Sequence, residues 1–441
     1  MKKYDSYKDS GIEWIGEIPS HWEIKKLKFI GDAIGGLTYS PNDIVEDESK
    51  GILVLRSSNI QNGKLALEDN VYVNLDISEK QTLRKGDILI CSRNGSQHLI
   101  GKNICIDERT EGSTFGAFMM IFRSENYKFL NHFFNSPIFT SQSGLFLTAT
   151  INQLTSSTLN NFYLAVPSSI DEQIAIAEYL DSKTTQIDDL IAKKERLIQL
   201  LEEERTAIIN QAVTKGLDPT VPMKDSGIEW IGEIPEHWKL KRLKFLGDSI
   251  GGLTYSPNDV VENSSEGILV LRSSNIQNGK LSLKDNVYVN LEVSKKLILK
   301  KGDILICSRN GSKHLIGKNI CIDEQMEGNT FGAFMMVFRS KHWKFLNYFF
   351  NSSLFASQSG LFLTATINQL TSSTLNNFFI AIPSSIEEQN LIAEFIDLKT
   401  DEINTIIIKT KQEIELLKEY KTALISEVVT GKVDVREEII N

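Results

Sequence analysis

The chain repeats itself. Displaced by 216 positions, its second half lies on its first without a gap, from Lys8 on Lys224 to Asp218 on Asp434. Residues 143–162 (SGLFLTATINQLTSSTLNNF) recur unchanged at 359–378, and 51–75 differ from 267–291 only at Ala66/Ser282 and Glu68/Lys284. Such a period is far longer than the roughly 20–50-residue units of solenoids and propellers, so each copy should be a domain with an appendage. A length of 441 residues also exceeds what one core holds. Two copies present one surface twice, and internal pseudo-two-fold symmetry is the simplest arrangement for them.

Each copy has two kinds of segment. The end of the first copy carries Ile187, Ile191, Lys194, Ile198, Leu201, Arg205, Ile208 and Ala212, alternating steps of four and three. The second carries Ile403, Ile407, Thr410, Ile414, Leu417, Lys421, Leu424 and Val428 at matching places. This is a coiled-coil seam, interrupted at Lys194/Thr410 and Arg205/Lys421. No Pro or Gly breaks 184–213 or 400–429, so two long helices are predicted there. They can pair, antiparallel if a two-fold axis relates the copies, or each can pack on its own domain. Only 12 of the 30 positions in these stretches match between copies. The seam keeps a pattern, whereas the preceding part keeps particular side chains.

That preceding part is mixed. Strand-like runs occur at 52–55, 71–73, 87–91, 104–106 and 117–122, a helix is expected over about 126–143, and a shorter one at 152–160. The fold class is therefore α+β: two α/β-mixed domains joined by two long antiparallel coiled-coil-like helices.

Composition is ordinary, with 41% hydrophobic and 24% charged residues. The N-terminus lacks the apolar stretch of a secretory signal, and no run suits a bilayer span, so a soluble, cytoplasmic protein is expected. Net charge is −9, and −4 and −6 of it fall in the helical segments 161–216 and 377–441. The domains are near neutral and can carry a local basic face, which predicts weak nucleic-acid binding by the chain alone.

Catalytic motifs are missing. GDAIGGL (31–37) lacks dinucleotide spacing. GSQHLIGKN (95–103) has one residue too many for a phosphate loop and Asn103 in place of Ser/Thr. No GxSxG and no HExxH occurs. NSPIF (135–139) only partly matches the base-holding loop of amino-methyltransferases, and its copy reads NSSLF. The cysteines form no CxxC and no His sits at ligand spacing, so no metal is expected; Cys91 reads as a small buried residue. Catalytic residues: none.

Polar loops carry the remaining signal. LRSSNIQNG (55–63) and CSRNGSQHLIGKN (91–103) recur at 271–279 and 307–319, the latter with only Gln97/Lys313 changed. Arg56, Asn59, Arg93, Asn94 and Gln97 are side-chain types that read base edges. Ser57, Ser58, Ser96 and Lys102 suit phosphate oxygens, and His98 is a possible ligand contact. TATINQLTSS (148–157) adds Thr148, Asn152 and Gln153, and Tyr39 can pack on sugar or base. Gly95 and Gly101 allow tight backbone. The second copy supplies Tyr255, Arg272, Ser273, Ser274, Asn275, Arg309, Asn310, Ser312, Lys313, His314, Lys318, Asn368 and Gln369. The same residue types are also common in ordinary exposed turns. DNA, with two-fold related strands, is an object that a duplicated surface suits.

KDSGIEWIGEIPSHWEIKKLK (8–28) and its copy at 224–244 resemble the start of target-recognition domains in type I restriction-modification specificity subunits. So do KGDILICSRNGS (85–96), TINQLTSSTLNNF (150–162), VPSSIDEQIAIAEYLDSKTTQID (166–188), INQAVTKGLD (209–218) and ISEVVTGKVD (425–434). The resemblance covers almost the whole chain. It implies target-recognition domains at 1–166 and 217–382, a spacer helix region at 167–216, and a second one with the tail at 383–441. It also implies a non-catalytic subunit that grips the two halves of a split site on double-stranded DNA. Two methylation subunits and two restriction subunits would be its partners. S-adenosylmethionine, ATP and Mg would serve those partners, with no cofactor bound by this chain. Family members usually carry dissimilar recognition domains, so near-copies imply an inverted-repeat target. A stand-alone DNA-binding regulator or decoy, or a helical scaffold that binds no DNA, are the alternatives.

Overall fold

The structure, a computed structural model, describes residues 2–61, 63–145, 152–277, 279–362 and 369–438. The chain forms two compact units, Met1–Lys194 with Lys411–Asn441, and Glu195–Thr410. Both divisions fall inside long helices. The helices are α1 (Tyr127–Phe134), α2 (Pro137–Leu145), α3 (Ser156–Asn160), α4 (Ile170–Lys215), α5 (Trp343–Phe350), α6 (Ser353–Phe362), α7 (Ser372–Asn376) and α8 (Ile386–Val429). None of them is long and apolar enough to cross a membrane, among the described residues.

The first unit is built around the strand Ile88–Cys91. It sits in an antiparallel sheet ordered Asn103–Cys105, Ile88–Cys91, Met119–Arg123, Asp32–Gly35. Successive side chains of a strand point to opposite faces, and here both faces are buried. Ile88 and Ile90 join Met120, Phe122, Phe129 and Phe133 in one cluster. Leu89 and Cys91 join Met119, Ile121, Leu55 and Phe115 in another. Against this second face lies a small sheet in which Thr114–Phe115 runs parallel to Ile52–Leu55, followed by antiparallel Tyr72–Val73 and Ile44–Val45. The second unit repeats both sheet orders.

The fold class is as read from the sequence, with shifts at element ends. The run 117–122 becomes a strand only from Met119 to Arg123, because residues 116–118 form a turn. The expected helix over 126–143 is two helices. Pro137 is not the cause, since Ser353 replaces it and α5 and α6 divide at the same place. The polar Asn–Ser pair divides them instead. Asn135 donates to Asn103 Oδ1 at 3.1 Å, and Ser136 Oγ donates to the Phe133 carbonyl at 2.6 Å.

Helices α4 and α8, of 46 and 44 residues, begin well before positions 184 and 400. Their first turns follow no heptad because they pack on their own domains, through Ile176 and Leu180 and through Ile392 and Ile396. Glu172, in the first turn of α4, is buried; it accepts from Trp22 Nε1 at 3.0 Å and lies 2.8 Å from His21 Nε2. A carboxylate there also meets the positive end of the helix dipole.

Within each unit a stretch of α4 pairs with a stretch of α8. In the first, Asp188 meets Lys421 at 2.7 Å and Lys194 meets Glu413 at 2.6 Å. Rising positions on one helix meet falling positions on the other, so the pair is antiparallel. Ile187, Ile191, Leu417, Leu424 and Val428 join the first unit's main cluster. In the second unit Ile198, Leu201 and Ile208 pack with Ile403 and Ile407, and Arg205 donates to Asn404 Oδ1 at 3.0 Å. The charged interruptions of the seam are therefore cross-helix partners. Of the other seam positions, Ile414 and Thr410 are buried.

One buried ion pair locks the central sheet. Arg123 donates to Asp87 from Nε and from an Nη, both at 2.7 Å, and Asp87 also accepts from the Arg84 amide at 2.8 Å. The Asp87 side chain is 2% exposed. The carboxylate beside it raises the Arg123 pKa. Breaking a buried pair by removing one charge costs about 3–5 kcal/mol. Asp87→Asn should lower the urea-denaturation midpoint accordingly, and an unchanged midpoint would show that the clamp contributes nothing.

Candidate nucleic-acid interface

The carboxyl end of the central strand leads into a loop that lines an open basin of about 1170 Å³. The second unit has an equivalent basin of about 1330 Å³. Three loops meet at the first. Ser92 and Arg93 amides both donate to the Phe118 carbonyl, at 2.9 and 3.0 Å. The Leu154 amide donates to the Ser92 carbonyl at 2.8 Å, and Arg93 and Gln153 form a bridge pair. Asn152 Nδ2 reaches the Gly95 carbonyl at 3.3 Å. On the other side the Leu37 amide donates to the Phe115 carbonyl at 2.7 Å.

Glycine makes that last approach possible. A Cβ on Gly36 would stand 2.1 Å from the Gly116 carbonyl oxygen. Gly101 has φ +84°, a conformation that favours glycine. Gly95, expected to need the same freedom, has open space where a Cβ would go.

Of the residues singled out in the sequence, the fold gathers Tyr39, Arg56, Ser57, Ser58, Arg93, Asn94, Asn152 and Gln153 around the first basin. Around the second it gathers Tyr255, Arg272, Ser273, Ser274, Arg309, Asn310 and Gln369. Thr148 and Asn368 lie outside the described residues. Ser96, Gln97 and His98 line no basin; Gln97 and His98 sit on an exposed turn beside it, as do Lys313 and His314. Gln97/Lys313 is thus a difference at the margin. Among the described lining residues, the one pair of positions differing in type is Ile44/Val260.

Two candidate contacts, Asn59 for a base edge and Lys102 for phosphate, make framework hydrogen bonds in the structure. Asn59 is buried: its Oδ1 accepts from the Arg56 amide at 2.9 Å and its Nδ2 donates to the Ala66 carbonyl at 2.9 Å. Lys102 Nζ donates to the carbonyls of Ser57 and Ile60 at 2.8 and 2.7 Å. Asn275 and Lys318 repeat these bonds. Two of the three N–H donors of each ammonium are thus committed to backbone carbonyls. Asn94 is partly committed, donating to Ser57 Oγ at 3.2 Å and accepting from the Ser96 amide at 3.0 Å.

Sequence reading missed Phe118 and Phe334. Both line the basins and are 60% and 59% exposed. They were hidden in an apolar run read as strand; the Gly116–Ala117 step before the ring was the available signal of a turn. The guanidinium carbon of Arg93 lies 5.5 Å from the Phe118 ring centroid, and Arg309 lies at the same distance from that of Phe334.

Cys91 is buried, and burial pushes the Cys105 thiol up to about 11 and the Cys321 thiol to about 12, so neither is a thiolate at neutral pH. Among the described residues no group of three His, Cys, Asp or Glu side chains could hold a metal. A concave surface with guanidinium, amide, hydroxyl and aromatic groups can hydrogen-bond and stack.

A family model described as "Type I restriction modification DNA specificity domain" matches residues 19–202 and again 235–416. The specificity subunit of the type I restriction enzyme EcoKI of Escherichia coli is 29% identical over 68% of this chain and 64% of its own length. That of StySPI from Salmonella potsdam is 29% identical over 69% and 65%. The chain thus spans just under two thirds of these two subunits. A specificity subunit described for MjaX of Methanocaldococcus jannaschii is 26% identical over 96% of both chains. Among solved structures, a chain from a type I restriction-modification assembly has a TM-score of 0.74 at 14% identity, covering 94% of this chain and 99% of its own length. The HsdS subunit from Thermoanaerobacter tengcongensis gives 0.56 at 15%, covering 94% and 98%. At such identities these likenesses speak for the fold.

The glycine contact yields a direct test. Gly36→Ala should destabilise the first unit by about 1–3 kcal/mol, the usual cost of forcing extra volume into packed structure. Gly116→Ala, whose Cβ would meet its nearest neighbours at 3.7 Å, should be tolerated. Equal thermal midpoints for the two variants would show that the loops do not need this close approach.

Proposed function

Because the chain belongs to the type I restriction modification DNA specificity domain family, we propose that each unit reads one half of a bipartite double-stranded DNA site through its basin. The observation that carries this reading is the grouping in one concavity of Arg, Asn, Gln, Ser and Tyr side chains taken from separate loops. Ordinary solvated turns give no reason for such convergence. Arg matches guanine and Asn or Gln matches adenine by paired hydrogen bonds, and hydroxyls suit phosphate.

The two basins have the same lining residue types except at Ile44/Val260. They should therefore read nearly the same bases. On one duplex, two equal readers facing opposite strands ask for an inverted repeat with a gap between its halves.

The chain carries no bond-making step in this reading. Methylation subunits, two per chain, dock on the helical segments, which leave Leu190, Leu197, Leu200, Ile406 and Leu416 exposed. Two restriction subunits complete the full complex. S-adenosylmethionine, ATP and magnesium act in those partners. The net charge of −9 fits such sharing, because affinity for the DNA backbone then comes in large part from the partners.

Sequencing the methylated bases in a host carrying the complete system tests the proposal. The expected motif is an inverted repeat interrupted by unspecified bases, methylated only when this chain is present. Two unrelated half-sites would refute the equal-reader reading. A methylation pattern indifferent to the chain would refute its role in specificity.

A further inference from the structure

We propose that Arg93, held by Phe118, reads a guanine in the first half-site, and that Arg309 with Phe334 does the same in the second. The assignment rests on the reading that the basins face DNA, and it narrows that reading to one side chain per half-site.

The first basin has two guanidinium groups with different duties. An Nη of Arg56 donates to the carbonyl and the carboxylate of Asp69, at 2.8 and 3.0 Å. Its charge is neutralised and its donors are partly occupied. Arg272 and Asp285 repeat the pair. Arg93 is exposed, and among the described residues its side chain has neither an ion pair nor a hydrogen bond; its one neighbour of note is the Phe118 ring. Five N–H donors on a planar group are thus left free, and guanine O6 and N7 accept two of them side by side.

The ring explains how a free arginine is kept ready. A long exposed side chain loses conformational entropy when it binds, and placing it in advance reduces that loss. A guanidinium over an aromatic face is attracted by the ring quadrupole and keeps its edge donors open. The backbone that carries the ring is held, since the Phe118 carbonyl takes both the Ser92 and Arg93 amides. One carbonyl therefore ties the positions of the arginine and the ring together. The folded core has no need of a phenylalanine that is 60% exposed. Its use lies in what it holds. Phe118 is a positioning residue and Arg93 the reading residue.

The duplication supplies an internal control. Arg93→Lys, Phe118→Ala and Phe118→Tyr are made in the first unit only. The full chain, purified with the subunits that accompany it, is used to select from a library of random duplexes. The wild type should enrich a two-part motif with a guanine–cytosine pair in each half. Arg93→Lys keeps the charge but loses the fork. It should reduce the preference at that pair, in one half-site, by about 5- to 100-fold. Every other position and the salt dependence should stay. Phe118→Ala should weaken the same pair to a smaller extent, and Phe118→Tyr should restore it.

An Arg93→Lys motif unchanged in both halves overturns the assignment. So does a loss spread over every position of a half-site, which would give Arg93 a structural or phosphate-holding role. A wild-type motif with no guanine–cytosine pair in its halves leaves the DNA reading intact and removes this one. A wild type that enriches nothing refutes the DNA reading, and this assignment with it.

Discussion

A strand with no solvent face, Ile88–Cys91, underlies the whole first unit. Ile88 and Ile90 serve one core, and Leu89 and Cys91 the other. The strand cannot slip by one residue without exchanging the two sets, so its register is fixed twice over. The Asp87–Arg123 clamp sits at one end and the Arg93 loop leaves from the other. A side chain two residues beyond such a strand starts from a nearly immobile base. That suits a surface which must hold hydrogen-bonding groups at defined spacing.

The polar residues of the basin divide by what they bond to. Asn59 and Lys102 satisfy backbone groups of the 56–69 loop and hold it in shape. These bonds are part-buried, and losing them would leave backbone groups of the loop without partners, so these side chains are tied to the loop. Arg93 and Gln153 stand side by side on a bridge pair, and both are exposed. A recognition surface of this kind needs both classes: the first makes the shape, and the second carries the discrimination.

Much of this was legible in the sequence, and the failures have physical causes. The long helices showed through their four–three spacing, but their first turns did not, because there α4 and α8 pack on a domain and not along a seam. The strand Ile52–Leu55 was readable from its β-branched and apolar run. The division between α1 and α2 was not legible, because a single helix fits the run 126–143; the second copy divides at the same place without a proline, through Ser352 and its bond to the Phe349 carbonyl. Residue type brought Arg93 and Asn59 together as equals. Only burial separates them, and burial depends on neighbours remote in the chain. Phe118 was lost for the converse reason, since an apolar residue in an apolar run gives no local sign that it ends in water.

The duplication then acquires a physical meaning that differs along the chain. In the helices a hydrophobic pattern is enough. Lys194 meets Glu413 in one unit, whereas Arg205 meets Asn404 in the other, and either kind of pair keeps an antiparallel register. Under the proposed function the basins have no such freedom, because replacing an arginine by any other residue changes which base it can face. Several cross-copy positions in the basins could differ without harm to the core, since Tyr39, Ser58, Arg93 and Gln153 belong to neither core cluster of the first unit. That they do not differ points to the object bound and not to the fold. A pair of equal readers on a chain whose spacers have drifted apart is what a symmetric, interrupted DNA site would ask for.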